Sequence, residues 1–95
     1  MKVRKLENII EVIINEEDRK YMFIYKNRDK ANDEKDFFQN KVKNNEDIEN
    51  YLERVDYKVI LDKEILKLIN ETTLKTPPIY EMALKTGVSQ LVIIN

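Results

Sequence analysis

Asp62 closes the apolar run Tyr57 to Leu61 (YKVIL) and precedes a stretch whose Ile65, Leu66, Leu68 and Ile69 repeat at helical spacing. Its carboxylate therefore falls where a strand gives way to a helix. A carboxylate in that place can hold a magnesium or manganese ion that activates water for phosphodiester cleavage. The same place is that of a helix N-cap, and a single aspartate there is read first as a cap. A second acidic group, Asp29, Asp33, Glu34 and Asp36, has the density of a calcium loop but not its order. With Asp29 as the first ligand, Glu34 stands where glycine is required and Asn40 where the closing carboxylate belongs. A solvated loop and helix start fits better. Tyr21, Phe23 and Tyr25 alternate along one strand face, as in sheets that stack RNA bases, yet only Lys20, Lys26 and Arg28 lie near them. Core packing is the better account. The chain has neither cysteine nor histidine, which removes disulfides, thiolate chemistry, imidazole catalysis and the common zinc sites. With a single glycine, no phosphate-cradling loop or nucleophile elbow can be built.

Two longer patterns carry a resemblance. The run Val59-Ile60-Leu61-Asp62-Lys63-Glu64-Ile65-Leu66, followed by Pro77-Pro78, a helix and a strand, resembles the opening of a PIN-domain ribonuclease. The resemblance covers Lys58 to Asn95 and implies that Asp62 binds the catalytic magnesium or manganese. It departs from the family pattern at Lys63 and Glu64, and the family's further acidic ligands have no counterpart before Asn95. Met82 to Gln90 looks like the core of a helix-turn-helix, with Ala83 and Gly87 four apart and Val88 and Ile93 at its buried positions. That resemblance implies DNA binding by residues 79–95 through Ser89 and Gln90. Its recognition helix would present Leu91, Val92, Ile93 and Ile94 without any Lys or Arg, so helix, glycine, strand is the preferred reading.

Composition limits the remaining choices. Ninety-five residues suit one domain, 1–95. With 42% apolar and 37% charged residues the chain is too hydrophobic for disorder and too charged for a bilayer. Its 17 basic and 18 acidic side chains set up no global field towards phosphate, so nucleic acid is not the favoured partner. The apolar run at Ile9 to Ile14 is too short to span a membrane and no signal-peptide pattern precedes it, so the cytoplasm is the expected compartment. No cofactor is expected, magnesium or manganese entering only with the nuclease reading of Asp62.

The elements follow from periodicity. Leu6, Ile9, Ile10, Ile13 and Ile14 predict a helix over residues 3 to 16, with a β-hairpin as the runner-up. Tyr21 to Tyr25, apolar on both faces, predicts a strand covered on two sides. Asn32 or Asp33 is expected to cap a helix bearing Phe37, Phe38 and Val42. A second helix is expected to begin at Glu46 and Asp47 and to bury Ile48, Tyr51, Leu52 and Val55. Tyr57 to Leu61 is the next strand and Asp62 starts a helix. Thr76 and Pro77 open the last helix, which Gly87 closes. Leu91 to Ile94 is the final strand. Alternation of strands and helices without hairpin turns predicts a small three-layer α/β domain with a mainly parallel sheet of about three strands. In it, Leu91, Val92, Ile93 and Ile94 form an adhesive edge that a homodimer would cover. A non-enzymatic interaction or regulatory module acting through protein–protein contacts is the expected function.

Overall fold

β-Branched side chains crowd the first fifteen positions, Val3, Ile9, Ile10, Val12, Ile13 and Ile14 among them, and this chemistry favours a pleated backbone over a helix. In the computed structural model, which describes residues 2–15, 19–71, 78–88 and 90–95, they form strands β1 (Lys2–Leu6) and β2 (Ile9–Asn15). The two pair antiparallel from Lys2↔Ile13 to Leu6↔Ile9. The helix predicted over residues 3 to 16 is thus replaced by a hairpin. Its apolar positions are contiguous because β2 is covered on both faces, Ile9, Ile10 and Val12 all being buried. The turn uses no glycine. Glu7 takes a φ of 53°, and Asn8 is held from outside: its carbonyl accepts the Tyr25 N–H at 2.8 Å and its Nδ2 donates to the Tyr25 carbonyl at 2.9 Å.

β3 (Arg19–Ile24) continues the meander, pairing antiparallel with β2 through Ile9↔Ile24, with a register shift between Ile13 and Asn15. Asn27 accepts the Lys30 N–H at 2.9 Å and caps α1 (Arg28–Lys41), which therefore begins before the expected Asn32 or Asp33. Asn44 caps α2 (Asn45–Leu52) through the Asp47 N–H, with Glu46 and Asp47 in the favourable first turn as expected. β4 (Tyr57–Leu61) leads directly into α3 (Asp62–Glu71), where Glu64 Oε2 accepts the Leu61 N–H at 3.0 Å, the backward half of a capping box. α4 (Pro78–Thr86) ends as predicted at Gly87, φ 68°. Gly87 N–H donates to the Leu84 carbonyl and Val88 N–H to that of Ala83, a Schellman closure. The expected cap Thr76 and first-turn Pro77 lie outside the described residues.

β5 (Gln90–Ile94) enters the sheet between β3 and β4, parallel to the former and antiparallel to the latter, giving the order β1-β2-β3-β5-β4. The expected mainly parallel, three-stranded sheet is corrected to a mixed, mostly antiparallel sheet of five strands, because the N-terminal segment supplies two strands instead of a helix. The expected edge of Leu91, Val92, Ile93 and Ile94 is corrected too: this strand has neighbours on both sides, and β1 and β4 are the edges. Helices pack on both faces. α1 and α2 cover Ile10, Val12, Phe23, Tyr25 and Val92, and the ring centroids of Phe38 lie 4.9 Å from those of both Phe23 and Tyr51. α3 and α4 cover Ile9, Met22, Ile60 and Leu91 with Ile65 and Ala83.

Two left-handed residues give a pair of opposite expectations. A Cβ added to Gly87 would meet nothing closer than Lys20 Nζ at 3.7 Å, so Gly87→Ala should cost the backbone penalty alone, about 1 kcal/mol in urea unfolding. Glu7→Asn places a residue that tolerates positive φ in the hairpin turn and should gain about 0.5 kcal/mol. Equal or reversed signs would contradict the two turn geometries.

Candidate partner-binding groove

Alternation along β1 and β2 sets what the open half of the sheet presents. Arg4 lies across from Glu11 and Leu6 across from Ile9, so all four share one face, the face that α3 and α4 cover farther along the sheet. Between α4 and these strands runs a groove of about 340 Å³, lined by Arg4, Leu6, Ile9, Glu11, Met22 and Met82, with Lys5 at its rim. Its floor is buried Ile9 and Met22, while Leu6 at the lip is 59% exposed. Arg4 Nη2 lies 3.1 Å from Glu11 Oε1. The two partners are unequal: the Glu11 side chain is 12% exposed and that of Arg4 73%. The carboxylate is thus sunk in the groove wall and held there by a guanidinium whose remaining donors reach solvent. Methionines from two elements give the walls adaptable, polarisable surface.

A second, narrower cleft of about 130 Å³ opens where parallel β3 and β5 end, bounded by Tyr25, Lys30, Glu34, Tyr51 and Asn95. The Tyr25 and Tyr51 hydroxyls are 2.8 Å apart and satisfy one another. Burial holds both phenols in the neutral form: it pushes Tyr51 up to about 12 and, with the bond to Tyr51 adding to it, pushes Tyr25 higher still. Neither offers a phenolate near neutrality. The pair closes the top of the aromatic core beside Lys30 and Glu34.

The residues singled out in the sequence do not converge. The backbone of Asp62 is the first residue of α3, and its side chain lies outside the described set. Asp29, Asp33, Glu34 and Asp36 belong to the helix α1 rather than to a loop. No three acidic side chains among the described residues are grouped to hold a metal. Tyr21, Phe23 and Tyr25 are buried, as expected of core aromatics, and Tyr21 donates to Asn45 Oδ1 at 2.6 Å. Residues 90–94 are a strand, so the recognition helix that the helix-turn-helix resemblance requires is not formed. None of the described helices is long and apolar enough to cross a membrane. No family model, curated protein or solved structure matches this chain. The groove residues Arg4, Leu6, Glu11 and Met82 escaped the sequence reading because a helix over residues 3 to 16 holds Arg4 and Glu11 two turns apart with Leu6 on another face, and nothing local ties Met82 to them. The signal that finds them is the opposite charge of Arg4 and Glu11, placed symmetrically about the Glu7-Asn8 turn.

The tyrosine pair predicts an alkaline weakness. Both phenols keep their protons in the folded state at a pH where the unfolded chain has begun to lose them. Stability is therefore fully present below about pH 10 and falls as pH rises towards 12. Tyr51→Phe should flatten that fall, while costing about 1 kcal/mol at neutral pH by leaving the Tyr25 hydroxyl unpaired. Urea unfolding across this range measures both, and an unchanged slope would contradict the assignment.

Proposed function

We propose that the protein is a non-enzymatic binding module that takes an extended, acidic peptide segment with alternating apolar side chains along β1 and into the adjoining groove. The observation that supports it most is the pairing of an apolar trough with a cationic edge strand. β1 reads Lys2-Val3-Arg4-Lys5-Leu6, has β2 on one side, and has no strand on the other among the described residues. A peptide added there would take its main-chain hydrogen bonds from β1 and drop every second side chain towards Leu6, Ile9, Met22 and Met82. With its apolar residues on the face of Lys2, Arg4 and Leu6, the peptide sets its alternate side chains on the face of Lys5, which favours acidic ones, and the summed positive charge of β1 draws an acidic segment to this edge. Among the described residues, the polar groups of the lining are one ion pair and a rim lysine, which suits recognition.

The test is a fluorescence-anisotropy titration of the protein with an alternating Glu/Leu peptide and with its Lys/Leu counterpart, accompanied by backbone amide shifts. The acidic peptide should bind, with an affinity that falls as salt rises, and should move the amides of residues 2–11, Met22 and Met82. Leu6→Asp, at an exposed position, should weaken it by about tenfold through lost apolar contact and added repulsion. Equal binding of the basic peptide, or shifts confined to other surfaces, would reject the reading.

A further inference from the structure

The second sheet edge has a different character. β4 reads Tyr57-Lys58-Val59-Ile60-Leu61, with one cation, and it leads into α3. Three of the large apolar side chains exposed among the described residues gather on these two consecutive elements: Tyr57 at 41%, Leu61 at 38% and Leu66 at 49%. The outward backbone of β4 can be read from its inner bonds. Asn95 N–H donates to the Asp56 carbonyl at 2.9 Å, so in the antiparallel alternation residues 56, 58 and 60 turn to β5, and Tyr57, Val59 and Leu61 turn outward. Consistently, the Leu61 N–H is met from outside by Glu64 at 3.0 Å.

From this geometry we infer that β4 is a homodimer interface, pairing antiparallel with the β4 of a second copy about a two-fold axis at Val59. This register uses the whole strand. It sets Tyr57 opposite the partner's Leu61, Val59 opposite its own copy and Lys58 opposite the partner's Ile60, so apolar side chains meet on the face of Tyr57, Val59 and Leu61 and no like charges oppose each other on either face. Each Val59 N–H donates to the other Val59 carbonyl and each Tyr57 N–H to the other Leu61 carbonyl, while Leu61 N–H keeps its bond to Glu64. Moving the axis back to Lys58 would face lysine with lysine, and moving it forward to Ile60 would set Tyr57 opposite the partner's Lys63, in its helix, so Val59 gives the register that uses all five residues. β1 cannot do the same. Its full-length self-pairing centres on Arg4 and sets Arg4 against its own copy, so its cations exclude a second protein chain of the same kind. Pairing of β4 with its copy would join two five-stranded sheets into one continuous sheet.

Sedimentation equilibrium of the full chain over the micromolar range tests this. The wild type should approach twice the chain mass as concentration rises. Val59→Pro removes an outward N–H that the monomer does not use, and Tyr57→Lys puts a charge against the partner's Leu61. Each should raise the dimer dissociation constant by about tenfold or more. Leu66→Lys, which lies off the strand, should leave it unchanged, and circular dichroism confirms that each variant is folded. A wild type that stays monomeric at the highest concentration, or a dimer indifferent to Tyr57→Lys, would overturn the interface. The groove on β1 is at the opposite end of the sheet, so peptide binding there stands or falls separately.

Discussion

β5 is the constraint on which the rest of the structure depends. The chain builds a three-stranded meander at one end and the β4–α3 unit at the other, and within the sheet Gln90–Ile94 joins them. Its side chains serve both cores. Leu91 is fully buried beneath α3 and α4, and Val92 is fully buried beneath α1 and α2. At about 1.5–3 kcal/mol for each fully buried side chain, these two residues and their neighbours contribute a large share of a small domain's net stability. Gly87 is the local device that makes the insertion possible. Its left-handed turn ends α4 and returns Val88 to the core beside Ala83, aiming the chain at the gap between β3 and β4.

With β5 inside the sheet, the two edges have contrasting chemistry. β1 carries three cations in five residues and β4 one. Charge on an edge strand discourages self-association, whereas a neutral edge with matched apolar rows encourages it. On the two proposals made above, one edge suits an acidic peptide and the other a second copy of the chain. The groove beside β1 lies where Met82 of α4 faces Leu6 and Glu11 across the buried Ile9 and Met22.

Much of the fold was legible from residue patterns, and the failures share a cause. The doubly apolar run Tyr21 to Tyr25, the first turn of α2 at Glu46 and Asp47, the strand at Tyr57 to Leu61 and the stop at Gly87 all lie where their chemistry puts them. Each is governed by local capping or by contiguous burial. Residues 3 to 16 went the other way, since Leu6, Ile9, Ile10, Ile13 and Ile14 satisfy a helical period and a two-sided strand equally. The turn that decides between them uses Glu7 and Asn8 rather than glycine, and is fixed by bonds to the distant Tyr25. The groove was illegible for the same reason, because Arg4 and Glu11 become neighbours only once the hairpin is formed. The place of β5 inside the sheet, and so the identity of the true edges, depends on strand order, which no local pattern encodes.

Hydrogen exchange read amide by amide tests the central place of β5 most directly. With a strand on each side, its amides alternate between β3 and β4 as acceptors, and residues 91–94 should exchange among the slowest in the chain, far more slowly than the outward amides of β1. Exchange of residues 91–94 at the rate of β1 would mean that this strand is an edge, and the architecture described above would be wrong.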